Sequence, residues 1–394
     1  MKTDILIIGS GIAGYYALNE LLKANPDANA VMVTSDPDYP YDRPPLSKEY
    51  LRGQRDKPFF KAPEYYSGFK NLKILLNTSV EEIKTSKKEA ILSNGDSVEF
   101  EKALIATGGR PRRLNVSGSD LKGIYYLRTL RDSDEIKEAM KRSKNPVIVG
   151  GGFIGIEAAA SMATLGLRPT VIEMLPHIWT TFVDEKVSEH IRSYFEKKGV
   201  KIITGEAVKE FEGREGKVET VVTQSGKRIE ADMVLVAIGI VPNVELAQKS
   251  GIDVNNGILT DEYLRTNVKD IYAAGDVANI YDPNLGKRRR IEHWNNAWYT
   301  GRLAIRNMLK GDIEAYNFLS TVWSDIFDIH IESGGETRDY DNYIIKGNME
   351  SNKFIVVYSK GGTIVGYVAF NWDMKDLDRL NDLIMKKASL SEYS

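Results

Sequence analysis

The chain has 394 residues, of which 42% are hydrophobic and 27% are charged, so it is long enough for two or three globular domains. Its formal net charge of -2 gives the chain no global basic field that would attract nucleic acid. No apolar run approaches the ~20 residues that cross a bilayer, and the N-terminus enters a predicted strand without a signal-peptide pattern. We therefore expect a cytoplasmic protein with no membrane span and no nucleic-acid partner.

Cysteine is absent from the sequence. Its absence excludes disulfides, a thiolate nucleophile, a redox dithiol and a cysteine-ligated zinc or iron–sulfur centre. The four histidines are scattered without the spacing of metal ligands. We therefore predict no metal site.

The first motif is a glycine-rich turn between a strand and a helix. The apolar residues 5–8 predict a buried parallel strand, and the pattern after Gly14 predicts a helix. Between them stands G-x-G-x-x-G, in which Gly9 permits the turn, Gly11 lets a pyrophosphate approach the backbone and Gly14 lets helix and strand pack closely. The helix N-terminus adds N–H donors and a positive dipole end. The motif predicts dinucleotide binding; the alternative is a glycine-rich turn without a ligand.

A carboxylate after the next strand, residues 30–33, would bind the adenosine ribose of the dinucleotide. Asp36 is the candidate, and its alternative role is that of a turn residue before a proline. Residues 41–48 (Tyr-Asp-Arg-Pro-Pro-Leu-Ser-Lys) then form a segment that two prolines stiffen. We predict that it holds Arg43 and Lys48 beside an electron-rich cofactor; the alternative is a rigid surface turn with two solvated cations.

The second half of the chain repeats this arrangement. Residues 146–149 predict a strand, residues 150–155 (Gly-Gly-Gly-Phe-Ile-Gly) repeat G-x-G-x-x-G, and a helix and a strand follow. That strand ends in Glu173, at the right distance to bind a ribose diol. Two such units predict two dinucleotide sites, one for a prosthetic group and one for a nucleotide that exchanges. The charge of Glu173 would repel a 2′-phosphate, which favours NADH over NADPH.

Two later features each have two interpretations. Asp276 lies at the carboxyl end of a predicted strand, where it would accept a hydrogen bond from a polyol chain or act as a helix N-cap. The basic run 287–290 (Lys-Arg-Arg-Arg) is typical of a solvated loop, and the alternative is a docking patch for an acidic partner. After these, residues 320–394 combine apolar and aromatic segments, glycine turns and a terminal helix, which predicts a small α+β domain.

With these residues in hand, the chain resembles the FAD-dependent pyridine nucleotide–disulfide oxidoreductase superfamily. Within it, the chain is similar to the ferredoxin-reductase branch, which includes rubredoxin and putidaredoxin reductases and the related apoptosis-inducing factors. The resemblance covers nearly the whole chain. Its most specific parts are residues 41–48, Ala106-Thr107-Gly108, residues 260–278, Glu292-His293-Trp294 and Trp323-Ser324-Asp325.

The resemblance implies an α/β fold with two Rossmann-like dinucleotide-binding domains and a C-terminal α+β domain. The FAD-binding domain would comprise residues 1–111 and 236–319. The NAD(H)-binding domain would be inserted in it at residues 112–235, and the C-terminal domain would span residues 320–394.

Roles for individual residues follow from the same resemblance. FAD contacts would fall at Gly9, Gly11, Ala13, Gly14, Arg43, Lys48, Val80, Arg128, Asp276 and Trp294. NADH contacts would fall at Gly152, Ile154, Glu173, Gly239, Glu292 and Trp323. Further cofactor-binding candidates from the specific motifs are Ala106, Thr107, Gly108 and His293.

Two points of the resemblance concern single side chains. Glu157 matches a glutamate that pairs with the lysine beside the flavin, so Lys48 and Glu157 would form the catalytic pair. Where many relatives carry the ribose-binding acid, this chain has Ser35 followed by Asp36. Either of these two residues would then bind the ribose of FAD.

The implied function is transfer of a hydride from NADH to FAD and then of single electrons to a small acidic iron–sulfur protein, ferredoxin or rubredoxin. Lys48 would stabilise negative charge that develops on the flavin, and Glu157 would hold Lys48 in place. Because the chain has no dithiol, the electrons must leave it. The alternatives are an NADH oxidase or diaphorase that uses oxygen or quinones, and a redox-gated NADH-sensing binding protein. The chain would be a monomer or a homodimer.

Overall fold

The computed structural model describes residues 1–180, 182–311 and 313–393, which divide into two compact units. Unit 1 comprises residues 1–43, 57–110 and 241–320, and unit 2 comprises residues 44–56, 111–240 and 321–394. Each unit is therefore built from three separate stretches of the chain. The short segment 44–56 belongs to unit 2, although the residues on both sides of it belong to unit 1.

The strands are β1 Lys2–Ile8, β2 Ala30–Val33, β3 Leu72–Leu75, β4 Val80–Lys84, β5 Glu89–Leu92, β6 Ser97–Ile105, β7 Gly109–Pro111, β8 Ile124–Tyr125, β9 Pro146–Val149, β10 Thr170–Ile172, β11 Lys201–Ile203, β12 Val208–Arg214, β13 Lys217–Thr223, β14 Arg228–Glu230, β15 Met233–Val236, β16 Ile240–Pro242, β17 Ile258–Thr260, β18 Ile271–Ala273, β19 Ala278–Asp282, β20 Lys287–Arg290, β21 Thr321–Ile326, β22 Ile329–Gly335, β23 Asn342–Asn348, β24 Lys353–Lys360 and β25 Thr363–Phe370. The α-helices are α1 Ile12–Ala24, α2 Pro63–Ser67, α3 Leu130–Met140, α4 Phe153–Thr164, α5 Glu185–Lys197, α6 Glu245–Lys249, α7 Trp294–Lys310 and α8 Met374–Met385. Short 3₁₀ helices span Pro44–Ser47, Gly275–Val277 and Leu390–Glu392.

Unit 1 is built on a sheet in the order β3-β2-β1-β6-β5-β4, with β18 also paired to β6. The strands β3, β2, β1, β6 and β18 run parallel, whereas β4 and β5 are antiparallel additions. The central strand β1 is buried because its apolar residues lie between two parallel neighbours. Helices α1 and α7 pack closely: a Cβ added at Gly301 would lie 2.2 Å from the carbonyl oxygen of Ala13.

Unit 2 contains a second parallel sheet, in the order β11-β10-β9-β15-β8, together with the antiparallel sheet β12-β13-β14. Its C-terminal part is a five-stranded antiparallel sheet in the order β21-β22-β25-β24-β23, against which α8 packs. Phe354 and Phe370 stack in that sheet with ring centres 4.4 Å apart. The predicted α/β class, with two Rossmann-like units and a C-terminal α+β part, is confirmed.

Two predictions about local structure have opposite outcomes. The Asn94-Gly95 turn joins β5 and β6 as a hairpin, in agreement with the typical turn chemistry of that dipeptide. The prediction of a loop for the basic run 287–290 is wrong, because these residues form β20 and pair antiparallel with β19.

Within the described ranges, no helix combines the length and apolar character needed to span a bilayer.

Candidate functional site

The glycine loop of unit 1 fits a bound diphosphate. Gly9 has a φ of 110°, and a Cβ added there would lie 2.3 Å from the carbonyl oxygen of Ala106. A Cβ at Gly14 would lie 2.0 Å from the carbonyl oxygen of Gly9, so only glycine allows this close packing of loop and helix. Helix α1 begins after Gly11 without a side-chain cap and without an acidic residue in its first turn. The positive end of its dipole is therefore not balanced by a side chain of its own first turn, which favours an anion at this end of the helix.

The glycine loop of unit 2 has the same geometry. Gly150 has a φ of 111°, and a Cβ added there would lie 2.3 Å from the carbonyl oxygen of Ala237. A Cβ at Gly155 would lie 2.0 Å from the carbonyl oxygen of Gly150. A Cβ at Gly152, the residue before α4, would meet no atom within 4 Å. The loop therefore has open space at the helix N-terminus, as a second diphosphate site requires.

Glu173 lies directly against this second loop. Its Oε2 accepts a hydrogen bond of 2.5 Å from the Gly151 N–H, and its Oε1 accepts one of 2.7 Å from the Leu175 N–H. These two bonds fix the carboxylate beside the glycine loop while each oxygen keeps a further lone pair. The geometry suits a ribose diol, which would donate two hydroxyl protons to a carboxylate.

Lys48 and Glu157 form a buried ion pair within unit 2. The Lys48 Nζ donates to the Glu157 Oε1 over 3.1 Å, and both side chains are 6% exposed. The same carboxylate accepts a hydrogen bond of 2.6 Å from the Ser324 hydroxyl through Oε1 and another from the Ser47 hydroxyl through Oε2. The predicted contact between Lys48 and Glu157 is present, and two serine hydroxyls complete its surroundings.

The segment that carries Lys48 is tied to the helices of unit 2. Ser133 of α3 donates a hydrogen bond of 2.8 Å to the Leu46 carbonyl, and Ser161 of α4 donates one of 2.7 Å to the Ser47 carbonyl. Both serines are fully buried. The Pro44–Ser47 turn is therefore held from two helices, and the direction in which Lys48 leaves it is fixed.

Arg43, the last residue of unit 1 before this segment, lies beside the first glycine loop. A Cβ added at Gly11 would lie 3.7 Å from an Arg43 guanidinium nitrogen. The neighbouring Asp42 accepts a hydrogen bond of 2.8 Å from the Trp294 indole through Oδ1. This bond connects the start of α7 to residues 41–43, which carry the Arg43 guanidinium beside the first glycine loop.

The two candidates for the FAD ribose differ in their surroundings. The Asp36 carboxylate accepts hydrogen bonds of 2.7 Å from the Tyr41 hydroxyl and 3.1 Å from the Asp38 N–H. The side chain of Ser35 is exposed at the end of β2. Asp36 therefore helps to shape the turn while each of its oxygens keeps a further lone pair, and the Ser35 hydroxyl is exposed, so both residues could meet a ribose.

The remaining candidates of unit 1 lie at strand ends. Thr107 follows β6 and donates a hydrogen bond of 3.0 Å to the Asn243 carbonyl, while Gly108 has a φ of 61°. Val80 begins β4. Asp276 lies inside the Gly275–Val277 turn, so the N-cap interpretation is wrong because Ala274 occupies the cap position.

His293 and Glu292 precede α7. Burial, together with the smaller effect of the Arg289 charge, lowers the pKa of His293 to about 4. The His293 Nδ1 is 2.9 Å from the Ser320 hydroxyl. Glu292 forms an ion pair with Arg290, which belongs to the basic run. His293 is therefore a neutral, partly buried residue at neutral pH.

The remaining candidates of unit 2 are spread over four elements. Ile154 is 41% exposed in the first turn of α4, and Gly239 has a φ of 91° after β15. Arg128 precedes α3, and its N–H donates to the Asp132 carboxylate over 2.9 Å. Trp323 lies in β21 opposite Glu332. The residues predicted to contact FAD therefore belong to both units: Arg128 and Lys48 belong to unit 2, and the others belong to unit 1.

Sequence reasoning missed a cluster around His330 in the β21–β22 hairpin. The His330 Nδ1 is 2.7 Å from the Asp325 carboxylate, and its Nε2 is 3.8 Å from the carboxylate of the buried Glu332. The hydrogen bond to Asp325 and the nearby Glu332 carboxylate together raise the pKa of His330 to about 9, with Asp325 as the larger cause. Asp325 belongs to the Trp323-Ser324-Asp325 motif, but its pairing with His330 depends on the hairpin register.

Comparison with known proteins places these features in context. The model of the pyridine nucleotide-disulphide oxidoreductase family matches residues 3–301, and that of the reductase C-terminal domain matches residues 321–394. The chain is 30% identical to rubredoxin-NAD(+) reductase of Pseudomonas putida over 93% of this chain and 95% of that protein.

Two solved structures share the fold over nearly the whole chain. A ferredoxin reductase from Rhodopseudomonas palustris has a TM-score of 0.94 at 28% identity, with 98% of this chain and 96% of that chain covered. A putidaredoxin reductase, solved in a covalent complex with putidaredoxin, has a TM-score of 0.93 at 29% identity, with 98% and 93% covered.

The His330 cluster generates a prediction about pH and stability. A histidine whose pKa is raised on folding stabilises the folded state fully below its ordinary value of 6.5, and this contribution is lost as the pH rises through about 9. We expect His330→Asn to lower the unfolding temperature most at about pH 6 and least at about pH 10. Calorimetry across that range measures the difference from the wild type, with His177→Asn as a control outside the cluster. A difference that stays constant or grows with pH would contradict the prediction.

Proposed function

This chain belongs to the pyridine nucleotide-disulphide oxidoreductase family, and from that premise we propose that it is a flavoprotein reductase that carries electrons from NADH through FAD to an iron–sulfur protein. The observation that carries the proposal is the presence of two glycine loops of matching geometry in a chain without cysteine. Two dinucleotides can bind, and no dithiol of the chain can take the electrons. An external acceptor therefore completes the reaction.

We propose that residues 1–111 and 236–319 hold FAD. The support is the first glycine loop, the Arg43 guanidinium beside Gly11 and the uncapped start of α1, which together suit the diphosphate. Ser35 or Asp36 would hydrogen-bond the ribose, since the Ser35 side chain is exposed and each Asp36 oxygen keeps a further lone pair beside the bonds from Tyr41 and Asp38. Bound FAD would accept two electrons as a hydride and release them one at a time.

We propose that residues 112–235 bind NADH. The second glycine loop would hold its diphosphate, and Glu173 would accept hydrogen bonds from the adenosine ribose. The carboxylate would disfavour a 2′-phosphate at the same place, because it adds a like charge to a site with no arginine in the Met174-Leu175-Pro176 stretch that follows. We therefore expect the exchangeable nucleotide to be NADH rather than NADPH.

The chain's own part in the chemistry is orientation and charge. Lys48 would place an ammonium near the electron-accepting ring, where it stabilises negative charge. Glu157 holds that ammonium through the buried ion pair, so Lys48 does not need to reorganise during the reaction. Hydride transfer needs alignment of the two rings more than a proton donor.

We further propose that the acceptor is a small iron–sulfur protein such as a ferredoxin or rubredoxin. The similar proteins named above are reductases of rubredoxin, ferredoxin and putidaredoxin. The basic run gives little support for an acidic partner, because Arg289 pairs with Asp282, Arg290 with Glu292, and Arg288 donates to the Thr260 carbonyl. An acidic acceptor, a monomeric or homodimeric state and a cytoplasmic location stay predictions.

Anaerobic spectroscopy tests the proposed function. The purified protein should carry the absorption of oxidised flavin, lose it when NADH is added under argon, and regain it rapidly with ferredoxin or rubredoxin but slowly with oxygen. Fast reoxidation by oxygen or quinones would instead support an NADH oxidase or diaphorase. A long-lived reduced state that no acceptor discharges would support a redox-gated binding protein, and a protein that takes up no flavin would contradict the whole proposal.

The role of Glu173 gives a second prediction. Glu173→Gln keeps an oxygen that can accept from the Gly151 N–H but removes the charge that disfavours a 2′-phosphate. We expect the preference for NADH over NADPH, measured as the ratio of kcat/KM values, to fall about tenfold. Glu189→Gln, which changes an exposed carboxylate of α5, is the matched control. An unchanged ratio in Glu173→Gln would exclude Glu173 from nucleotide selection.

A further inference from the structure

Three donors from two parts of unit 2 converge on the Glu157 carboxylate. The Lys48 ammonium and the Ser324 hydroxyl both donate to Oε1, over 3.1 Å and 2.6 Å, and the Ser47 hydroxyl donates to Oε2. All four residues are buried, with whole-residue exposures between 0% and 5%. The ammonium carries donors only, and the Ser47 hydroxyl is closer to Glu157 than to the Pro44 carbonyl oxygen, which lies 3.3 Å away. The arrangement is therefore complementary to a carboxylate.

The Ser324 hydroxyl reaches this site from the C-terminal sheet. Ser324 lies in the middle of β21, whereas Glu157 lies in the first turns of α4. Side chains alternate along a strand, so the neighbours Trp323 and Asp325 point to the other face of the sheet. The C-terminal part of the chain thereby contributes one polar atom to the buried ion pair.

The position of β21 does not depend on this hydroxyl. The strand is paired with β22 along its full length, from Thr321 opposite Gly334 to Ile326 opposite Ile329. The backbone of Ser47 is likewise held from outside, by the hydrogen bond of Ser161 to its carbonyl. Both hydroxyls can therefore be removed while the backbone around Glu157 keeps its supports.

We propose that Ser324, with Ser47, is a positioning residue for electron transfer: the two hydroxyls fix the Glu157 carboxylate, which in turn fixes the Lys48 ammonium. This inference rests on the proposed function. Without Ser324, Oε1 loses a donor and the carboxylate can rotate about its side-chain bonds. The Lys48 ammonium then occupies several orientations, and its stabilisation of negative charge on the flavin is weakened.

The test compares Ser324→Ala with a matched serine variant in the same sheet. Ser333→Ala removes a buried hydroxyl from β22, at a residue that pairs through the backbone with Val322 and Val368. Ser324→Thr keeps a hydroxyl at the tested position. The measurements are the midpoint potential of the bound flavin, the rate of its anaerobic reduction by NADH, and the unfolding temperature.

We expect Ser324→Ala to retain FAD, to shift the flavin midpoint potential to a more negative value and to slow reduction about tenfold, with little change in the KM for NADH. Ser333→Ala should match the wild type in potential and rate, and Ser324→Thr should restore most of both. A potential and a rate in Ser324→Ala equal to those of Ser333→Ala would overturn the inference.

Two further outcomes are also decisive. If Ser324→Ala does not retain FAD, Ser47→Ala tests the other carboxylate oxygen: a more negative potential supports the inference, and an unchanged potential overturns it. If NADH does not reduce the wild type, the proposed function fails and the inference fails with it. A wild type that is reduced normally beside an unaffected Ser324→Ala overturns the inference alone.

Discussion

The proposed role of unit 2 in electron transfer depends on the buried ion pair between Lys48 and Glu157. A buried pair loses the hydration of two charges, and replacing such pairs with apolar side chains is often neutral or stabilising. Removing one partner alone typically costs about 3–5 kcal/mol, because the other charge is left buried without compensation. Stability alone therefore does not explain this pair, whereas the proposed role of a fixed ammonium beside the flavin would explain it.

The two prolines lie between two cationic side chains, of which Arg43 belongs to unit 1 and Lys48 to unit 2. Arg43 ends the first stretch of unit 1 and lies beside its glycine loop, while Lys48 belongs to unit 2 and is held by Glu157. The restricted φ of the prolines limits the conformations of the chain between the two residues. Tyr50 extends the anchoring in unit 2, since its hydroxyl donates to Asp134 over 2.7 Å and Lys137 lies 3.7 Å from its ring centre.

Sequence could predict the parts of the molecule that local chemistry determines. Both glycine loops were predictable because strand, turn and helix are adjacent in the chain, and because a side chain at the tightly packed glycines would clash with nearby backbone atoms. The contact of Lys48 with Glu157 followed only from family resemblance, because no spacing rule joins residues so far apart. Ser324 stood in a recognised motif, but its bond to Glu157 depends on tertiary packing. The basic run was wrongly predicted to be a loop, because the pairing of β19 with β20 is what brings Arg289 into contact with Asp282, and the sequence does not show that pairing.

A double-mutant cycle on the ion pair, with Lys48→Met, Glu157→Gln and the double variant, tests most directly whether the Lys48 ammonium serves electron transfer. Free energies of unfolding and rates of flavin reduction by NADH are measured for each protein. If the pair serves electron transfer, the double variant regains most of the stability that the single variants lose, while its flavin is reduced no faster than that of Lys48→Met. A double variant whose flavin is reduced at the wild-type rate would contradict the claim that this ammonium serves the redox chemistry.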